Sequence, residues 1–269
     1  MNKIRVPDII KKKKDKQKLV MLTSYDAITA RIVDEAGVDI ILVGDSLGNV
    51  VQGQDTTIPV TIEDMIYHTR LVSRGAKTAH ICADMPFMSY QTSKEQALQN
   101  TGRLMKEGFA ESVKLETTDE YIDTIKSIVN AGIPVMGHIG LCPQSFHTMG
   151  GYKIQGRDKK EKNRYIKLAK ATESAGAYSI VLEGIPLELA KAITNSVSIP
   201  TIGIGAGPHC DGQVLVINDL VGLHSSRVPK FVKQYADFKG LMTKAIKSFS
   251  SDVTKSKFPA KDNSFSWSN

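Results

Sequence analysis

EAGVDIILVGDSLG, residues 35–48, carries the pattern that decides the fold. Gly37 stands where a helix should end, a β-branched run of strand length follows at 39–44, and Asp45 with Ser46 breaks the apolar character where that strand gives out. The same unit recurs in both directions. Strand candidates lie at 18–24 (KLVMLTS), 78–83 (TAHICA), 111–115 (ESVKL), 133–138 (IPVMGH), 177–182 (AYSIVL), 199–204 (IPTIGI) and 213–217 (QVLVI), which makes eight in all. Gly75, Gly108, Gly132 and Gly176 precede later strands as Gly37 precedes its own. Thr61 with Asp64, Ser93 with Gln96 and Thr117 with Glu120 fit the pairing that opens helices. Eight βα units in roughly 200 residues predict an α/β protein built as a single (β/α)8 TIM barrel, with a doubly wound sheet as the alternative.

Two connections exceed ordinary βα loops, 46–61 (SLGNVVQGQDTTIPVT) and 139–161 (IGLCPQSFHTMGGYKIQGRDKKE), and on a barrel mouth they are candidate lids or binding loops. Past residue 227 a helical pattern at 229–253 predicts a C-terminal helical extension. The expected division is a catalytic barrel domain over 1–250, with N-terminal extension and C-terminal helix included, and a flexible tail over 251–269.

The formal charge of +7 is unevenly spread. Residues 1–18 hold eight Lys/Arg against two Asp, residues 227–269 hold nine against three, and the body between is net acidic. Basic ends on an acidic body predict solvated, partly disordered tails rather than the basic folded face of a nucleic-acid module. No window has the apolar length of a membrane span, and MNKIRVPDIIKKKKDK does not have the form of a signal peptide, so the expected location is cytoplasmic. Three widely spaced cysteines suggest neither disulfides nor a structural zinc site; Cys82 reads as core, Cys142 and Cys210 as loop residues.

Polar residues interrupt the strand ends. Asp45 and Ser46 follow the second strand, Asp84 ends the third, Lys114 and Glu116 the fourth, His138 the fifth and Glu183 the sixth; in a barrel these ends converge. Any one of the carboxylates alone reads as a loop-entry or capping residue. Asp45, Asp84 and Glu116 on successive strands offer hard oxygen ligands suited to Mg2+. Lys114, two residues before Glu116, shares its face; it is open to a structural ion pair, a Schiff-base role, or an electrostatic hold on a substrate carboxylate or keto oxygen, which a neighbouring metal favours. Glu183 closes the apolar run YSIVL, where desolvation would suit a general base, or it caps the helix near Pro186. His138 is second in rank, equally well read as a satisfied interior histidine. GIGAGPHCDG at 203–212 is open to a phosphate cradle or a tight barrel corner, and Tyr25 with Asp26 stands where the mouth could be lined.

The segments LTSYDAITARIVDEAGVDIILVGDSLGNVVQGQDTT, HICADMPFMSY, VKLE, GHIGLCPQSFHTMGGYKIQGRD, IVLEGIP and IPTIGIGAGPHCDGQVLVINDLVG closely resemble the 3-methyl-2-oxobutanoate hydroxymethyltransferase (ketopantoate hydroxymethyltransferase) family, in order, from about residue 3 to 250. The resemblance implies a Mg2+-dependent barrel enzyme that moves a one-carbon unit from the co-substrate 5,10-methylenetetrahydrofolate to 3-methyl-2-oxobutanoate, giving 2-dehydropantoate for pantothenate and coenzyme A. By motif, Asp45 and Asp84 look like metal ligands that also touch substrate, Glu116 like the third metal residue, Ser46 and Lys114 like oxoacid-binding residues, and Glu183 like the proton acceptor. The family also implies a large homo-oligomer, often a decamer, with its C-terminal helix reaching a neighbour. His224 and the long polar tail depart from the pattern and bear on assembly. Two rivals remain at this level: a lyase or mutase of the phosphoenolpyruvate and isocitrate type, and a silent scaffold binding nucleic acid through its basic ends.

Overall fold

A computed structural model describes residues 2–151, 153–223 and 228–267, so His224 lies outside the described residues. Eight parallel strands close into a barrel in sequence order. They are β1 (Leu19–Thr23), β2 (Ile40–Val43), β3 (His80–Asp84), β4 (Ser112–Glu116), β5 (Val135–Gly140), β6 (Ser179–Glu183), β7 (Thr201–Ile204) and β8 (Gly212–Leu215). The helices are α1 (Val6–Lys14), α2 (Ala27–Glu35), α3 (Leu47–Val50), α4 (Ile62–Gly75), α5 (Lys94–Lys106), α6 (Ile122–Asn130), α7 (Phe146–Met149), α8 (Lys159–Ser174), α9 (Leu187–Ser196), α10 (Ile217–Val221) and α11 (Phe238–Thr254). The chain divides into two compact units, residues 1–217 and 218–269. All eight strand expectations hold to within two residues at each end.

The pleat sorts the core into two shells. Outward residues such as Ile41, Val43, Ile81, Val113, Leu115, Val135, Ile180 and Leu182 pack under the helices, while Leu19, Met21, Ile40, Leu42, Cys82, Met136, Val181, Ile202 and Val214 fill the interior. This period of two fixes the functional face: His80, Cys82 and Asp84 point inward along β3, and Ser112, Lys114 and Glu116 along β4. Register then sets Asp84 beside Lys114 and Glu116 beside His138.

Several sequence expectations need correction. The N-terminal basic segment is no loose tail: α1 inserts Ile9 fully buried into the interior cluster, with Ile4, Val6 and Ile10 packed against it. Lys12 pairs with Asp39, Lys13 with Asp211 at 3.0 Å and Lys3 with Glu111 at 2.9 Å, so its charge is spent on the acidic body. Thr117 caps nothing; its buried hydroxyl accepts from the His138 N–H at 3.2 Å and donates to Leu115 O, and the cap position falls to Thr118. Gly37, Gly132 and Gly176 end helices with φ of 80°, 84° and 97°, but Gly75 is needed for close approach, since a Cβ there would lie 2.2 Å from the Ala27 carbonyl oxygen. The 203–212 run is a helix-free corner: residues 205–211 alone return the chain from β7 to β8, with φ 61° at Gly205 and 77° at Gly207. Cys142 and Cys210 are buried, like Cys82.

Candidate active site at the barrel mouth

The strand ends bring Asp84, Lys114, Glu116, His138 and Glu183 to the C-terminal side of the barrel, and Asp45 and Ser46 join them from the turn after β2. Asp84 Oδ2 accepts the Asp45 N–H at 3.0 Å, and its Oδ1 lies 2.8 Å from Lys114 Nζ with no aligned hydrogen bond. A cation surrounded by acids is the way a buried lysine keeps its charge. Burial works against the ammonium of Lys114, but Asp84 and Asp45 outweigh it and hold its pKa above the usual value.

The carboxylates show the reverse. Burial first, and the neighbouring Asp84 second, push Asp45 up to about 7. Burial and then Asp45 push Glu116 up to about 8. The site therefore gathers more carboxyl groups than its one lysine can keep ionised. Even so, among the described residues no three His, Cys, Asp or Glu side chains converge on a common cation position.

Glu183 stands apart in exposure, its side chain 18% accessible where Asp84 is nearly sealed. It does not cap the next helix, which starts after Pro186 without a side-chain cap. His138 Nε2 lies 3.2 Å from Glu183 Oε2, but neither ring nitrogen has an aligned hydrogen bond to a protein group. Burial, followed by the Lys114 charge, lowers the His138 pKa and keeps the ring neutral. The satisfied-interior reading of His138 is thus replaced by a buried imidazole held against the outermost carboxylate.

Other residues complete the wall. Tyr25 OH and Ser46 Oγ share a hydrogen bond of 2.9 Å, and Tyr25 is buried. Asp26 turns away, accepting from the Ile28 and Thr29 N–H groups as the N-cap of α2. Gln144, in the long segment after β5, reaches both Asp45 and Glu116, and Tyr90 and Gln91 bond to it. Neither the two loop glutamines nor Tyr90 carries a periodic signal in the sequence that marks this role. Cys142, beside Glu116, is held as an inert thiol because burial pushes its pKa far up.

No helix among the described residues is long and apolar enough to cross a membrane. A family model described as ketopantoate hydroxymethyltransferase matches residues 3–261. A 3-methyl-2-oxobutanoate hydroxymethyltransferase of Geobacter metallireducens is 55% identical over 259 residues, covering 96% of this chain and 97% of the relative. One from Geobacter sulfurreducens is 54% identical over 267 residues, 99% of this chain and all of the relative. Among solved structures, a phosphonopyruvate hydrolase in complex with oxalate and Mg2+ aligns with a TM-score of 0.63 at 10% identity, over 97% of this chain and 93% of that one, a likeness of fold alone. A 2,3-dimethylmalate lyase likewise aligns with a TM-score of 0.61 at 16% identity, over 97% of this chain and 91% of that one, so the lyase and mutase alternative shares the barrel alone. Matched over nearly its whole length, the chain belongs to the ketopantoate hydroxymethyltransferase family.

Proposed function

We propose that this chain transfers a hydroxymethyl group from 5,10-methylenetetrahydrofolate to C3 of 3-methyl-2-oxobutanoate, giving 2-dehydropantoate, with Mg2+ as the metal. The observation that carries the reading is the buried Asp84–Lys114 pair set among Asp45, Glu116 and the more accessible Glu183, in a chain of this family.

The residues fit the metal. Asp45 and Asp84 are hard oxygen donors crowded enough to repel, which a divalent cation relieves, and Mg2+ takes one or two carboxylates while leaving its other positions to water and substrate. Asp45 and Asp84 would hold it, with Glu116 as the third carboxylate of the set. Bound there, Mg2+ supplies Lewis-acid charge that acidifies the C3–H of a 2-oxoacid.

The chain's own groups do the rest. Lys114, kept cationic by its carboxylates, holds an anionic oxygen of the oxoacid; a lysine so charged is no amine nucleophile, which sets aside the Schiff-base role. Ser46, oriented by Tyr25, assists at the same end. Glu183 accepts the C3 proton, and the neutral His138 ring steadies its carboxylate without competing for that proton. The segments 46–61 and 139–151 would supply cover that keeps water from the carbanion and from the folate-borne carbon.

We also propose a cytoplasmic homo-oligomer, a decamer being the expected form, with neither nucleic acid nor membrane as partner. Phe238, Met242, Ile246, Phe249 and Val253 form one apolar stripe on α11, all of them exposed, which a second copy would cover.

The purified protein with Mg2+, 3-methyl-2-oxobutanoate and 5,10-methylenetetrahydrofolate is expected to form 2-dehydropantoate, and no product with every component present refutes the reading. Glu183→Gln should still bind the oxoacid while solvent deuterium exchange at C3 falls by about 100- to 10,000-fold. Undiminished exchange would remove Glu183 from the base role.

A further inference from the structure

Gln144 makes five hydrogen bonds within one buried position. Its Nε2 donates to Asp45 Oδ2 at 2.9 Å and to Met85 O at 2.9 Å; its Oε1 accepts from Tyr90 OH at 3.1 Å and Gln91 Nε2 at 3.2 Å; its backbone N–H donates to Glu116 Oε1 at 2.8 Å. Both amide protons and both lone pairs are used, so the side chain is saturated. Turning the amide over would face its oxygen to the Asp45 carboxylate and the Met85 carbonyl, losing both of those bonds. The orientation is thereby dictated by chemistry.

We propose that Gln144 is a positioning residue that fixes the Asp45 and Glu116 carboxylates for the divalent cation, an inference that rests on the metal-dependent function above. It grips one oxygen of each acid from a segment 99 residues away from Asp45 in sequence. Asp45 Oδ1 accepts no hydrogen bond among the described residues, so the grip holds one oxygen and presents the other. Tyr90 and Gln91 act one step further out, by locking the amide that does the gripping. Without the side-chain donor Asp45 is free to turn away while the backbone N–H still holds Glu116, and the cation would meet a poorly ordered pair.

The test is Mn2+ binding to the full chain, followed by electron paramagnetic resonance without oxoacid or folate, so that no turnover enters the readout. Gln144→Met keeps the volume and removes the side-chain donor to Asp45, leaving the backbone N–H on Glu116. It is expected to fold, as judged by circular dichroism, and to bind Mn2+ about 10- to 100-fold more weakly than the unaltered protein, the usual cost of losing a group that orients a ligand. Should Gln144→Met fail to fold, the double variant Tyr90→Phe/Gln91→Met, which leaves Gln144 in place but frees its amide to rotate, is expected to weaken Mn2+ binding as well. Mn2+ affinity within about twofold of the unaltered protein in a folded variant overturns the role of Gln144 and leaves the metal reading standing. An unaltered protein that binds no Mn2+ overturns both.

Discussion

Asp34→Asn tests how the chain anchors the entry to β3, the strand that ends in Asp84. Asp34 stands in the last turn of α2 and is buried, and its carboxylate gathers the following connection: Oδ1 accepts from Thr78 N, Thr78 Oγ1 and Ala79 N at 3.0, 2.8 and 2.6 Å, and Oδ2 from Lys77 N at 2.9 Å. Every partner is a donor. Asparagine supplies a single acceptor and turns an NH2 toward the remaining N–H, leaving an orphan donor worth about 1–3 kcal/mol and taking about 1 kcal/mol of charge assistance from the other bonds. A total of roughly 2–4 kcal/mol corresponds to a melting temperature lower by roughly 5–15 °C for a chain of this size. The pH dependence has a definite sign. Burial raises the Asp34 pKa, but the bonds from Ala79, Lys77 and Thr78 outweigh it and hold the carboxyl below its usual 3.8. A depressed pKa contributes stability that is complete above the unfolded value and lost as pH falls through the folded one. Scanning fluorimetry of both proteins should therefore show the full gap at about pH 7 and a narrowing gap toward about pH 3. A gap under about 2 °C at neutral pH, or one that widens on acidification, refutes the reasoning.

Three further outcomes are expected. Gly140→Ala puts a Cβ 2.2 Å from the Glu183 carbonyl oxygen at φ 111°, so it should cost about 2–5 kcal/mol in urea unfolding and displace the candidate base, and native-like stability would contradict that geometry. Lys114→Met should weaken 3-methyl-2-oxobutanoate binding by about 10- to 100-fold in calorimetry, and unchanged affinity would mean that the ammonium serves only the internal ion pair. Ile246→Glu, on the exposed stripe of α11, should shift the mass seen by light scattering toward smaller species; an unaltered mass would place the assembly contact elsewhere.

The barrel was legible because its strands obey a local rule: 39–44 and 133–138 announce themselves by β-branched content and by the glycine ahead of them. The inward direction of Lys114 and Glu116 followed from their spacing of two. What escaped the sequence is carried by pairings across long separations. Gln144 becomes informative only when the segment after β5 folds back over Asp45. The lysines of residues 3–18 read as a solvated run until Asp39, Glu111 and Asp211 are seen beneath them. Thr117 fits the cap pattern with Glu120, but its hydroxyl is taken by a bond to the next strand that no local pattern encodes, and Thr118 stands at the cap position instead.

Ile9 of α1 joins Leu19, Met21 and Ile40 in a barrel interior that side chains fill, so a ligand at Lys114 reaches it from the strand ends and not through the core. Under the proposed function the small oxoacid lies at the depth of Lys114, while the far larger folate has to stop at the rim. Whatever lies deepest must enter first and leave last. Steady-state kinetics should accordingly be ordered, with the oxoacid binding ahead of the folate and 2-dehydropantoate departing only after tetrahydrofolate has cleared the opening; product-inhibition patterns read this order directly.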